Sequence, residues 1–302
     1  METLSSSTTG TAFLLKEHVR LLRVEQYVKN LFILLPLFFS LHIGDLELLF
    51  RATVAFVAFS MAASSVYIFN DYLDAEEDRR HPVKRNRPLA AGTVTRKSAA
   101  LLILVLAVPA LTLSGLLSTV MLNLVFLYLV MNVAYAWKLK HIPIIDIGII
   151  AAGFVVRVLV GGSVTGTTIY MWIIIMTFLL ALFLALAKRR DDVLLFIGQE
   201  RTSRRAIDGY NLVFIDSAMV IMAAVTIVAY IMYTVSPDVM VKFRTDKLYI
   251  TTLFVVLGIL RYMQITFVEN KSGSPTEILL RDGFLQCVIL SWLATFAFLI
   301  YA

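Results

Sequence analysis

The sequence predicts an all-α, polytopic membrane protein: a bundle of nine transmembrane helices around a central cavity facing the cytoplasm. Three observations carry that expectation. The chain of 302 residues is 59% hydrophobic and 16% charged, too apolar for an ordinary soluble domain. Apolar runs of about 20 residues, enough to cross about 30 Å of hydrocarbon, recur from end to end. None shows the period-2 alternation of an outer-membrane strand, and backbone groups in lipid must be bonded within their own segment, so the runs are helices.

Residues 1–15 are polar and rich in Ser and Thr, without the basic, apolar and small-residue succession of a cleaved signal peptide, and are expected to form a loose tail. The remainder, 16–302, reads as one transmembrane domain. Its spans lie near 27–44, 50–70, 97–116, 118–137, 145–163, 170–187, 215–235, 248–268 and 283–302; the first is short and carries Pro36. Gly161 and Gly162, followed by Gly166, lack the Lys-Ser/Thr ending of a phosphate loop and point to close helix packing or a turn. Cys287 is the single cysteine, so no intramolecular disulfide can form. The four histidines are scattered without metal-ligand spacing, which removes zinc and haem chemistry.

Lys and Arg set the orientation. The segments 16–29, 79–97, 138–140, 188–205 and 271–281 fall on one side and hold 21 of the 27 basic residues, against Arg51, Lys242, Arg244 and Lys247 opposite. The basic side, with the N-terminus, is expected to be cytoplasmic in a plasma membrane, and the C-terminus external. Arg157 and Arg261 lie inside apolar runs. Charges there are costly and usually face a cavity, although Arg261 is near enough to a helix end to snorkel.

The densest chemistry is in 70–92, directly after the second span. Asp71, Asp74 and Asp78 recur at i, i+3 and i+7, one stripe of a helix, with Asn70 beside them. Three carboxylates on one stripe repel unless a cation joins them. Hard oxygen ligands suit Mg²⁺, which favours sites completed by substrate phosphate and water. Lys84, Arg85 and Arg87 follow and could hold phosphate oxygens that the metal leaves free; a solvated helix end with positive-inside charges is the plainer reading. A second cluster, Lys188-Arg189-Arg190-Asp191-Asp192, comes four crossings later, hence on the same face, where both clusters are expected to open on one cavity. It is rich in base where the first is rich in acid, and its cations also suit simple anchoring.

Asn70-Asp71-x-x-Asp74-x-x-x-Asp78 with Arg87-Pro88-Leu89-Ala90-Ala91-Gly92 resembles the first Asp-rich motif of the UbiA-type intramembrane prenyltransferase superfamily. The resemblance implies a helical bundle in which the aspartates bind Mg²⁺ on a diphosphate. Two features depart from the usual pattern: a second Asp-rich motif is missing after the sixth span, and Tyr135-Ala-Trp-Lys138-Leu-Lys140 replaces the Tyr/Pro-rich stretch after the fourth. These departures, with Gln26-Tyr27-Val28-Lys29-Asn30, His81-Pro82-Val83-Lys84-Arg85-Asn86, Asp146, Gly153-Phe154-Val155-Val156-Arg157 and Lys188-Arg189, resemble the branch that transfers phosphoribose to decaprenyl phosphate.

That branch implies phosphoribosyl pyrophosphate as donor, a polyprenyl phosphate as acceptor, and a product that feeds arabinan-type glycans of the cell envelope. Donor and acceptor bring more anion than a prenyl diphosphate does, and Lys29, Lys84, Arg85, Lys140, Arg157, Lys188 and Arg189 provide more cation. On this reading Lys188 and Arg189 hold the acceptor phosphate or the ribose 5-phosphate, and Tyr135 and Asp192 bond ribose hydroxyls or orient those cations. Membrane lipids are expected neighbours, nucleic acid is not a partner, and the resemblance allows a homo-oligomer. The alternatives are a prenyl diphosphate-dependent transferase with an aromatic or glyceryl acceptor, a related synthase with another lipid, and a transporter of anionic metabolites, which has no evident need of the carboxylate stripe.

Overall fold

The computed structural model describes residues 15–198, 209–271 and 274–301. The expected tail and Arg201, Arg204 and Arg205 lie outside the described residues, apart from Leu15. Among the described residues, eight helices are long and apolar enough to cross a membrane. They are α1 (Leu46–Asp78), α2 (Arg96–Leu117), α3 (Thr119–Trp137), α4 (Ile145–Thr165), α5 (Met171–Gly198), α6 (Leu212–Thr234), α7 (Thr252–Phe267, led in by the 3₁₀ turn Leu248–Thr251) and α8 (Gly283–Tyr301). The chain is a multi-pass membrane protein.

The first expected span is not a continuous α-helix. Residues 15–22 are helical, Val24–Leu34 is a 3₁₀ helix and only Leu35–Phe39 is α-helical, with Pro36 in its first turn. Side-chain bonds to α1 explain the stretched form. Arg23 reaches Asp71, Tyr27 reaches Ser64 and Asn30 reaches Ser60, so the segment runs antiparallel to α1. From Ser60 to Asp71, α1 rises about 16 Å. From Arg23 to Asn30 the partner rises about 14 Å as 3₁₀ but only about 10 Å as α, so the tighter helix keeps the bonds in register. Over 24–39 the summed rise is about 30 Å, the thickness an ordinary span needs.

The chain divides into two compact units. The first comprises residues up to Lys140 together with Val156–Thr167, and the second comprises His141–Val155 together with Thr168 onward. In the first, small residues of α1 (Ala55, Ala58, Ala62, Ala63) pack with Ile33, Met121, Val125 and Val160. Gly161 permits this: a Cβ there would lie 2.0 Å from the Ile33 carbonyl oxygen and 3.1 Å from Pro36 Cδ. Of the two expected uses, close packing is observed at Gly161, and Gly166, at φ 64° with open space around it, makes a turn. Arg51 closes the end of the unit where α2 and α4 finish, donating from Nε to Val164 O at 2.8 Å and from Nη2 to Leu117 O at 3.4 Å. A cation on two helix C-termini satisfies orphan carbonyls and complements both dipoles.

In the second unit α5, α6, α7 and α8 pack through Phe183, Leu186, Ile215, Met219, Ile259, Tyr262 and Leu285. Trp292 donates to Tyr230 at 2.7 Å, and Tyr230 and Thr251 bond each other at 2.7 Å.

Candidate functional site

The second expected span extends as one helix from Leu46 to Asp78, so the three aspartates project from a rigid rod rather than a loop. All three are buried, at 2%, 7% and 4% exposure for Asp71, Asp74 and Asp78. Buried acids must be paired, and the first unit supplies the partners. Arg23 donates from Nη2 to Asp71 Oδ1 at 2.5 Å, and Arg87 donates from Nη1 to the same oxygen at 3.1 Å and to Asp78 Oδ2 at 2.6 Å. Lys140 pairs with Asp74 Oδ1, and Asn70 donates to Asp74 Oδ2 at 3.0 Å. Asn70 therefore bonds an acid of the stripe, with its amide oxygen left as a further donor atom.

Local sequence explains how the cations arrive. Pro88 holds Arg87 in an extended conformation (φ −68°, ψ 142°), which ends the preceding turn and turns its side chain from the Lys84–Asn86 turn to α1. Gly92 at φ 75° closes the short helix Pro88–Ala91. The loop is docked on residues 15–22 by Arg20 Nη2 to Asn86 O at 3.0 Å and by Thr93 Oγ1 to Glu17 Oε2 at 2.9 Å. His81 Nδ1 accepts the amides of Val83 and Lys84, each at 3.2 Å, and so shapes the turn. Lys84 is close enough for its charge to act on Asp78, while Arg85 is exposed. Arg23 sits at φ 51° and stacks over Tyr67 at 5.4 Å.

The donor set, three buried carboxylates and an amide oxygen on one helix face, fits a hard divalent cation. The side chains are oriented as an ion-paired cluster instead: among the described residues no three His, Cys, Asp or Glu side chains converge as a metal site. Acid and base are balanced within the set, three carboxylates against Arg23, Arg87 and Lys140.

Arg157, buried on α4, belongs to a different network of the same unit. It donates from Nε to Asn30 Oδ1 at 2.8 Å and from Nη2 to the Tyr128 hydroxyl at 3.3 Å, and lies over the rings of Phe59 and Tyr128 at 4.9 and 5.2 Å. Lys29, half-buried, precedes Asn30 on the 3₁₀ helix, and Tyr135 is half-buried near the end of α3.

In the second unit Arg189 is buried and donates to Asp146 Oδ2 and Asp192 Oδ2, both at 2.6 Å. Asp146 Oδ1 accepts from the Tyr210 hydroxyl at 2.7 Å, and that hydroxyl accepts the Ile144 amide at 2.7 Å. Burial pushes the Tyr210 hydroxyl well above the ordinary phenol range, and the Asp146 carboxylate adds to it. Lys188 is exposed. Arg189 thus carries two acids: Asp192, in the orienting place the sequence suggests, and Asp146, whose relation is hidden in sequence because it is 43 residues away. Arg190 bonds Asp216 at 2.8 Å, Thr266 O at 2.8 Å and Asn270 at 2.9 Å, and ties α5 to α6 and α7. Arg261, a candidate by its place in an apolar run, pairs with Asp282 at 2.6 Å and Glu269 at 3.0 Å at a helix end.

Sequence reasoning missed Arg23 as a site residue. It stood among ordinary positive-inside charges, and only its place opposite Asp71 distinguishes it.

A multi-pass helical protein whose first long helix ends in a buried carboxylate stripe, answered by a basic loop, defines an intramembrane enzyme class. The model of the UbiA prenyltransferase family matches residues 31–288, and the chain belongs to that family. It is 31% identical to the decaprenyl-phosphate phosphoribosyltransferase of Mycolicibacterium smegmatis over 296 residues, covering 94% of this chain and 92% of that one. The protein of the same name from Mycobacterium tuberculosis is 30% identical over 281 residues, with 92% of each chain covered. Among solved structures, a UbiA homolog from Archaeoglobus fulgidus bound to GPP and Mg²⁺ superposes with a TM-score of 0.67 at 16% identity, covering 95% of this chain and all of that one. That likeness speaks for the fold.

Proposed function

We propose that this protein transfers 5-phosphoribose from phosphoribosyl pyrophosphate to a polyprenyl phosphate, with release of pyrophosphate. The observation that carries the proposal is the buried acid-base set on α1, in a chain about 30% identical over nine-tenths of its length to decaprenyl-phosphate phosphoribosyltransferases. The missing second Asp-rich motif supports the ribosyl donor over a prenyl diphosphate.

An oxygen of the acceptor phosphate attacks the anomeric carbon of the ribose, the bond from that carbon to the pyrophosphate oxygen breaks, and the pyrophosphate leaves with the electron pair. The ring passes through an oxocarbenium-like state, as other glycosyl transfers do. The acceptor phosphate, with a second pKa near 6, is already largely anionic at neutral pH and needs no general base. Asp71, Asp74 and Asp78 would hold Mg²⁺, with Asn70 as a further ligand or as the group that orients Asp74, and the ion would supply positive charge to the leaving pyrophosphate.

The chain's cations then do the positioning, which is most of the task when two anions must meet. Lys84, Arg85, Arg87 and Lys140 are assigned to pyrophosphate oxygens. Lys188 and Arg189 are assigned to the acceptor phosphate or the ribose 5-phosphate, with Asp192 and Asp146 orienting Arg189. Lys29 and Arg157 are assigned to a further phosphate, and Tyr135 to a ribose hydroxyl. Residues 16–302 act as one functional domain, with nine crossings if the 3₁₀ segment is counted. The basic side is read as cytoplasmic, the product as a lipid-linked pentose for envelope glycans of the arabinan type, and self-association as compatible with the family.

The test is radiolabel transfer from phosphoribosyl pyrophosphate into organic-extractable lipid with purified protein, a polyprenyl phosphate and Mg²⁺. Chelation and Asp74→Asn should each reduce transfer by at least about 10²-fold, the scale of losing a charge-stabilising group. Transfer from a prenyl diphosphate to an aromatic acid instead would replace this reading with the conventional reaction of the family.

A further inference from the structure

We infer that Arg23 and Arg87 exchange partners during the reaction cycle, while the buried Lys140 stays with Asp74. The two arginines neutralise Asp71 and Asp78 while no metal is bound, and pass to diphosphate oxygens when a divalent cation takes the carboxylates, so that metal and diphosphate bind with positive coupling. This assigns Arg23 as a substrate-binding residue. The inference rests on the metal-diphosphate part of the proposed function and is independent of which group the diphosphate activates.

Connectivity is the first argument. Asp71 Oδ1 is shared between Arg23 at 2.5 Å and Arg87 at 3.1 Å, and Arg87 also bridges to Asp78 at 2.6 Å. A cation captured by Asp71 therefore frees Arg23 and breaks the longer of the two Arg87 bridges, and its capture of Asp78 as well frees Arg87. Access is the second. The side chains of Arg23 and Arg87 are 22% and 25% exposed, whereas those of Asp71 and Asp78 are 3% and 5% exposed. The acids are walled in on the α1 rod, and the arginines have the freedom to turn toward an arriving anion. Arg23 also occupies the left-handed region at φ 51°, ψ 52°, between residues 15–22 and the 3₁₀ helix. Few residues other than glycine adopt that conformation; here it redirects the chain where the guanidinium meets Asp71.

Charge balance is the third. A divalent metal added alone places two further positive charges beside three cations in a poorly screened setting. A diphosphate added alone draws the two arginines away and leaves the buried Asp71 and Asp78 uncovered. Each ligand corrects the imbalance that the other creates, so each must raise the other's affinity by the same factor.

The experiment uses the purified full-length chain in detergent and two probes. Mn²⁺ binding is followed by loss of the free-ion EPR signal, and labelled inorganic pyrophosphate binding by equilibrium dialysis at saturating Mn²⁺. The exchange predicts effects of opposite sign in Arg23→Gln: Mn²⁺ alone binds about fivefold or more tighter, because a competitor for Asp71 is gone, and pyrophosphate about fivefold or more weaker. Arg87→Gln should repeat the pattern and decides the matter if Arg23→Gln does not fold. Weaker pyrophosphate with unchanged or weaker Mn²⁺ binding would overturn the exchange and leave a static phosphate ligand. Unchanged binding of both probes would reduce the arginines to a structural pair. Failure of the native chain to bind either probe would instead remove the metal-diphosphate reading and the inference with it.

Discussion

Gly161→Ala tests how closely the 3₁₀ segment must approach α4. The added methyl would lie 2.0 Å from the Ile33 carbonyl oxygen, 2.9 Å from its carbon and 3.1 Å from Pro36 Cδ, against an ordinary non-bonded separation of roughly 3.5 Å. The obstacle is backbone, so relief requires the segment to retreat by about 1 Å or more. That retreat works against Tyr27 to Ser64, Asn30 to Ser60 and Arg157 to Asn30, each 2.8 Å long. A backbone contact this short lies at the upper end of the range for overpacking, about 3 kcal/mol, and the helical preference of Ala over Gly returns up to about 1 kcal/mol, for a net loss of at least about 2 kcal/mol. Gly148→Ala on the same helix is the matched control. Nothing lies within 4 Å of its Cβ position, so it should gain about 0.5–1 kcal/mol. Denaturation of both variants in mixed micelles, with the native chain alongside, should show midpoints displaced in opposite directions. A Gly161→Ala protein as stable as the native one would refute the close approach and, with it, the packing account of the 3₁₀ segment.

Two further perturbations follow from the second unit. Asp146→Asn should cost about 3–5 kcal/mol, because it leaves the buried Arg189 without its deepest partner. Tyr210→Phe should cost about 1–2 kcal/mol by removing one donor and one acceptor. Joined to Arg189→Met, Asp146→Asn should recover much of the lost stability, and a transfer KM that stays raised in this double variant would separate a phosphate-binding role of Arg189 from its packing role. Asp282 caps α8 through the Leu285 amide at 2.8 Å, and its hydrogen bond from Arg261 holds its carboxyl below the usual range. A lowered folded-state pKa means stability present above the unfolded value near 3.9 and lost as pH falls through the folded one. Asp282→Asn, which keeps a capping oxygen but loses the ionic bond with Arg261, should therefore lower the unfolding midpoint at pH 7, with the difference closing as pH falls through the folded-state pKa; a gap that persists in acid would sink the ionic explanation.

Asp71, Asp74 and Asp78 were legible as one stripe because helical periodicity is local: knowing that 46–78 is helical is enough to align them. The helices themselves were legible for the same reason, since a membrane demands long apolar runs whatever their neighbours. The segment 24–39 was less so, because its 3₁₀ form answers to the spacing of Ser60, Ser64 and Asp71 on another helix. Arg23, Asp146 and Tyr210 were not marked as parts of the site, for each acquires its place from a partner 43 to 66 residues away. Sequence by itself determined the membrane class, the acid stripe and the basic loop held by Arg87-Pro88 and Gly92, all products of composition, period and backbone restriction. Only the tertiary structure decided which cation answers which acid, because a charge on a single chain carries no record of its partner, and each of the buried Asp71, Asp74 and Asp78 has one.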